Sequence, residues 1–283
     1  MKIYCITHKP LDYINKLGLI PFGVGLNDYP NGYLEEKKGK NISNKNKYYS
    51  ETSFHYWYWQ NILKSKPKNE WFGMCQYRRY FVKYEYKDLI KNSAGMQGYY
   101  PYINNFNDLE KILQKEPSPE WNGFDVILCE PWSVAVNSKM KLLKRGIKSI
   151  INDPLILFDK KKHNIKLHFE MFHGYDNLNK AINVMHKKDK KDFINYISKN
   201  NMLSGHCIFF SNNTKLINNF YTDLFDWLFK CESIFGFNLK GYDNQRIYSF
   251  LTERYTPFWF NKYAKVKYWP WIYCDITKFE SNY

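Results

Sequence analysis

The sequence has no CxxC pair: its six cysteines, Cys5, Cys75, Cys129, Cys207, Cys231 and Cys274, lie far apart. That spacing excludes a zinc knuckle and a dithiol redox motif. Most of the six sit in apolar runs, so buried reduced thiols are expected. Also missing are a GxGxxG after a strand, a GxxxxGKS or GxxxxGKT loop, HExxH and GxSxG, which argues against a P-loop enzyme, a zincin or a serine hydrolase. No apolar run approaches the ~20 residues of a membrane span, and the opening MKIYCITHKPLDYI lacks the charged, apolar, small-residue order of a signal peptide. The expected location is the cytoplasm, with peripheral contact at the inner face of the cytoplasmic membrane allowed. With no internal repeat, low-complexity linker or break in composition, residues 1–283 are expected to form a single domain.

The chain is 283 residues long with 44% hydrophobic and 19% aromatic residues, enough to build a core and to exclude intrinsic disorder. Lys and Arg number 42 against 27 Asp and Glu, a net +15. Such a charge suits a polyanion, a phosphorylated small molecule or an anionic membrane, although an AT-rich coding bias also raises Lys.

Apolar runs at Lys2–Thr7, Trp71–Cys75, Phe124–Cys129 and His206–Ser211 read as buried strands, each ending abruptly in polar residues. Helical spacing marks Ser50–Leu63, a short amphipathic stretch near Asn107–Gln114, and Asn213–Cys231. A last helix follows Gly241-Tyr242-Asp243 and carries Ile247, Phe250 and Leu251 as its core stripe. Asn27–Lys47 reads as a long surface loop, and the mixed, Pro-containing stretch 83–121 stays without a firm outline. The basic runs Lys139–Lys148 and Lys160–Lys162 read as solvated faces. Strands alternating with helices imply an α/β fold, whose strand ends are where open sheets bind ligands.

Two clusters stand at such places. In Tyr77-Arg78-Arg79-Tyr80, adjacent guanidiniums after a strand suit bidentate contact with phosphate oxygens, or are simply surface arginines; being neighbours in extended chain, they point opposite ways. In Gly241-Tyr242-Asp243-Asn244-Gln245-Arg246, Asp243 is either an N-cap or a carboxylate for proton transfer. Arg246 and Glu253, seven residues apart, share one helix flank, and Glu253 with Arg254 is expected as a buried ion pair.

Taken together, THKP from Thr7, the spaced NIS, KN, YYSET and YWYW elements from Asn41 to Trp59, GMCQYRRYF at Gly73–Phe81, and Arg246 with FLTERY at Phe250–Tyr255 resemble a bacterial family. It is a family long catalogued as of unknown function, found in capsular and exopolysaccharide synthesis proteins and including galactofuranosyltransferases. The resemblance spans nearly the whole chain and implies a GT-A-like glycosyltransferase fold, a mixed central sheet flanked by helices. By that likeness Thr7, His8, Lys9, Tyr77, Arg78 and Arg79 bind the donor nucleotide and diphosphate. Gln76, His173, Asp176, His206, Gln245, Arg246, Glu253 and Arg254 line the sugar or acceptor side, and Asp243 is the general base of an inverting reaction. Most GT-A enzymes hold a metal with a DxD at this strand end; here Gln76 to Arg79 stand instead, so no cofactor is expected and the enzyme is expected to be metal-independent or weakly metal-dependent. The sequence also departs from the family pattern at Gln76, where His is usual, and at Gly205-His206-Cys207-Ile208, where the family shows Asn-Met.

The reading is a hexosyltransferase that moves a residue, of galactofuranosyl type by the family resemblance, from a UDP-sugar to a capsular or lipopolysaccharide glycan carried on a lipid. The rival is a non-enzymatic binder of polyanions or nucleic acid. Against it, the aromatics fall on core-like helical faces and the basic runs do not alternate with them, so nucleic acid is not an expected partner.

Overall fold

The computed structural model describes residues 1–67, 69–88, 103 and 105–275. The parts of the 83–121 stretch at 89–102 and 104 lie outside these residues. Alternating apolar residues decide the architecture. In β1 (Lys2–Thr7), Tyr4 and Ile6 enter one core while Ile3 and Cys5 enter the other. In β4 (Phe72–Gln76), Phe72 and Met74 oppose Cys75, and in β6 (Val126–Cys129), Val126 and Leu128 oppose Ile127 and Cys129. Strands apolar on both faces belong in the middle of a covered, largely parallel sheet.

That sheet has nine strands. Its order is β10 (Val266–Trp269), β6, β9 (Phe209–Ser211), β4, β1, β2 (Ile20–Gly23) and β3 (Leu34–Glu35). β5 (Arg79–Phe81) folds back on β4, and β11 (Trp271–Tyr273) pairs with β5. β1 runs parallel to β2 and β4, and β6 parallel to β10, whereas β9 runs antiparallel between β4 and β6. Because β9 is reversed, Phe209 pairs with Met74 and the segment before it lies across the carboxyl end of β4. β7 (Trp132–Ser133) and β8 (Met202–Leu203) form a separate two-stranded ribbon. Gly73 lets the sheet close: a Cβ there would stand 1.8 Å from the Phe210 ring.

One face is covered by α1 (Thr52–Asn61), α4 (Ile165–His173), α5 (Asn177–Asn183), α6 (Lys187–Lys199), α7 (Thr214–Phe235) and α9 (Ile247–Tyr263). α7 is capped by Asn213, whose side chain accepts the Leu216 N–H. It buries Ile217, Phe220, Leu224 and Leu228 among others, each such burial stabilising by about 1.5–3 kcal/mol. The other face packs residues 11–19, the short α2 (Phe106–Ile112), Trp121 and the β5–β11 pair. α3 (Lys139–Asn152) and α8 (Tyr242–Gln245) complete the helices used below. All six cysteines are free and buried, as their spacing implied.

Several local expectations are corrected. Asn27–Lys47 is not a surface loop: it contributes β3, and Tyr33, Glu36, Ile42 and Ser43 are buried within it. Its polar residues hold backbone, the Tyr33 hydroxyl accepting from Leu11 N and donating to Leu11 O. The strand expected at His206–Ser211 pairs only from Phe209, because Cys207 has φ 50° and turns the chain. The final helix is two pieces, α8 and α9, and Phe250 is only partly buried at the edge of the core, stacked on His173 at 3.7 Å. Lys139–Lys148 lies on α3, which buries Leu142, Gly146, Ser149 and Ile150 and is more than a solvated face.

Candidate active site

The carboxyl ends of β1 and β4 lie side by side, and the polar residues that follow them meet there. After β1, the buried Thr7 hydroxyl donates to Lys9 O (2.6 Å) and accepts Lys9 N–H (3.2 Å), which closes a tight turn. Thr7 is thus consumed in shaping the turn, and His8 and Lys9 are the residues it presents. The exposed His8 ring packs edge-on to Tyr77 at 5.1 Å. Its pKa is lowered by partial enclosure and by the cations of Lys9, Arg78 and Arg246. Three segments remote in sequence, at Lys9, Arg78 and Arg246, therefore contribute positive charge around His8.

After β4, Gln76 spans the gap to β9: its Nε2 donates to His206 O at 3.0 Å, and its Oε1 accepts from Arg79 Nη1 at 2.6 Å. The two arginines diverge, but not as neighbours in extended chain: Arg78 lies in the turn after β4 and Arg79 opens β5. Arg78 lies over the Tyr77 ring at 4.8 Å, its Nε 3.1 Å from the Asp275 carboxylate. Arg79 turns toward Tyr273 at 5.8 Å, with its buried Nε hydrogen unpartnered. His206 stands between Trp132 and Trp271, edge-on to the latter at 4.2 Å, and its buried Nε2 has no partner. Burial, then the Arg79 charge, holds this imidazole neutral, well below its ordinary pKa. Buried polar atoms without partners are uncommon in native interiors. Two of them here border the same polar cluster.

α9 supplies the far wall. Arg254 is buried and pairs with Glu253 through Nη1, which also donates to Phe250 O at 3.1 Å. Its Nη2 donates to His168 Nδ1 (3.1 Å) and His173 Nε2 (3.4 Å). Both imidazoles are kept neutral by burial and by the Arg254 charge. The expected Glu253–Arg254 ion pair is present. Burial, reinforced by Glu51, raises the Glu253 carboxyl to about 7 even though Arg254 and Arg79 oppose the shift. Pro257 carries no N–H, so it leaves the Glu253 carbonyl without its helical donor.

On the outer side, Gly241 with φ 81° occupies the N-cap position of α8, and Asp243 makes no cap bond. That corrects the capping role considered for Asp243. Its carboxylate, half-exposed, lies 3.3 Å from Arg145 Nη1 of α3, while its carbonyl accepts from His173 Nδ1 at 3.0 Å. Arg246 lies over the exposed Tyr242 ring at 4.5 Å. Two expected residues bond locally instead of joining the cluster: Asp176, at φ 65°, accepts from Asn179 (2.9 Å), and Gln245 donates to Leu239 O (3.4 Å). Among the described residues no three His, Cys, Asp or Glu side chains converge as a metal centre would require.

Sequence reasoning missed Glu51, Trp132, Arg145, Trp271 and Asp275. Only Arg145 carried a signal, and within a basic run it was indistinguishable from its neighbours.

Comparison with known proteins agrees with this architecture. No curated protein matches the chain. A solved structure described as the apo form of WbbM, a bifunctional glycosyltransferase, is similar with TM-score 0.71 and 21% identity over 97% of this chain. The chain spans 45% of that protein's length. The likeness establishes a GT-A-like fold, with a mixed, mostly parallel sheet between helices. The model described as Domain of unknown function (DUF4422) matches residues 2–265, and the chain therefore belongs to that family.

Proposed function

We propose that the chain is a nucleotide-sugar-dependent glycosyltransferase, acting in the cytoplasm, that moves a hexosyl residue from a UDP-sugar to a capsular or lipopolysaccharide glycan carried on a lipid. The observation that carries this reading is the gathering of Lys9, Arg78 and Arg246 around His8 beyond the end of β1, with Arg79 bonded to Gln76 at the adjoining end of β4, on a GT-A-like sheet. In the reaction the acceptor hydroxyl attacks the anomeric carbon, its proton passes to a base, and the bond to the diphosphate breaks with both electrons on the leaving oxygen. Arg78 and Arg79 neutralise that developing charge.

Among the described residues the carboxylate that reaches these guanidiniums, Asp275, is held by Arg78, a setting that disfavours a divalent cation there. The reading is therefore metal-independent. Asp243 acts as base. It is open to a large acceptor, with one oxygen steered by Arg145 and its backbone pinned by His173, and base-side attack inverts the anomeric centre. Exposed Tyr242 beside it offers an aromatic face for an acceptor sugar. A galactofuranosyl donor is the specific substrate suggested by the resemblance of the YRRYF and ERY motifs.

The test is a thermal-shift screen of UDP-, GDP-, CMP- and dTDP-sugars with EDTA or Mn²⁺, since a ligand that binds only the folded state raises its stability. A shift by UDP-sugars in EDTA is expected. A shift that appears only with Mn²⁺ refutes metal independence, and no shift with any nucleotide sugar refutes the transferase reading.

A further inference from the structure

α3 is apolar over a wider arc than the fold covers. Leu142, Gly146 and Ile150 pack inward, yet Met140, Leu143, Ile147 and Ile151 stand 81, 47, 47 and 71% exposed. At about 100° per residue these four fall within about 80° of arc, a continuous stripe along the helix. It continues past the helix end through Leu155 (59%) and Phe158 (82%). Six of the sixteen large apolar side chains exposed among the described residues thus lie in one 19-residue segment, which scattered surface apolar residues do not explain.

The charge beside the stripe has one sign. Lys139–Asn152 holds five basic residues and no acidic one, and Lys141, Lys144 and Lys148 border the apolar edge. Lys160–Lys162 follows in the next turn. Over residues 139–162, eight basic and two acidic side chains leave +6.

We propose that α3 and the following Leu155–Phe158 turn form a membrane-docking face, with the stripe entering the interfacial region of an anionic bilayer and the lysines lying on its headgroups. An apolar face beside a Lys-rich polar face is the chemistry of an interfacial helix, and anionic lipid attracts each such cation. A second copy of the chain is a poorer occupant, because a two-fold contact would set the five cations of one α3 against those of the other. The helix also reaches the site: Arg145 lies over Phe172 at 4.7 Å and pairs with Asp243. Docking through the outer stripe therefore holds the Asp243 side of the site at the bilayer surface. That consequence rests on the transferase reading; the docking itself does not.

The test is flotation of the whole chain with vesicles of phosphatidylcholine alone or with about a third phosphatidylglycerol. Wild type is expected to float with the anionic vesicles, less so at high salt. Ile147→Glu/Ile151→Glu, both at exposed positions, should lower partitioning at least about tenfold with no change in melting temperature. Lys144→Ala/Lys148→Ala should weaken it and flatten its salt dependence. Flotation unchanged in the isoleucine variant, or no binding by wild type, overturns the proposal. So does light scattering that finds a wild-type dimer converted to monomer by the isoleucine change. UDP-induced stabilisation measured on the same variants reports separately on the transferase reading.

Discussion

Glu36 offers a stability prediction whose size follows from its surroundings. The side chain is fully buried: Oε2 accepts the Gly25 N–H at 2.7 Å, whereas Oε1 has no partner. Burial raises the carboxyl from 4.5 to about 7, against the hydrogen bond from Gly25. Between those values the unfolded chain has already lost a proton that the folded protein keeps. The stability this group contributes is therefore complete below 4.5, falls as pH rises to about 7, and is level beyond. From pH 5 to pH 8 the loss works out at about 2.5 kcal/mol, or about 5 °C in melting temperature for a chain of this size.

Glu36→Gln keeps an oxygen for Gly25 and cannot ionise, so its stability relative to wild type should rise by that amount across the interval. Urea unfolding of both proteins at pH 5, 6, 7 and 8 measures the difference. Taking the difference cancels the opposing contribution of His55, which burial lowers to about 4 and whose stabilising effect is lost as pH falls below 6.5. A difference constant within about 0.5 kcal/mol would refute the reasoning, since it would mean that Glu36 ionises as readily folded as unfolded.

Gly73→Ala places a methyl 1.8 Å from Phe210 in the centre of the sheet and should cost about 1–3 kcal/mol in chemical denaturation; an unchanged midpoint would contradict the close packing of β4 on β9. Asp243→Asn removes a proton acceptor at a position that makes no cap bond. Melting temperature and UDP binding should survive while kcat falls ~10²- to 10⁴-fold. A fully active Asn variant would transfer the base role to Glu253.

The sheet was legible because β1, β4 and β6 are apolar on both faces, and a buried strand that stops at polar residues announces both its end and a place for a ligand. Arg78 and Arg79 could be placed at such an edge from spacing, although their partners Asp275 and Gln76 could not, since both pairings depend on the β5 fold-back. The 27–47 segment misled because most of its buried residues carry polar groups: Glu36 and Tyr33 hold backbone, so composition resembles that of a solvated loop. Cys207 interrupts an apolar run with a positive φ that its identity does not signal. The lysines of α3 hid a half-uncovered apolar arc, because helical periodicity reports that a stripe exists and not how much of it the fold covers.

The central claim is that the cations at the ends of β1 and β4 receive a nucleoside diphosphate without a metal. Titration calorimetry of UDP into the protein in EDTA, beside Arg78→Ala/Arg79→Ala, tests it most directly. Removing two charge-assisted contacts, each worth about 1.5–3 kcal/mol, predicts wild-type binding without metal and at least about a hundredfold loss in the variant, with melting temperature little changed. Equal affinity in the two proteins, or wild-type binding that appears only when Mn²⁺ is added, would contradict it.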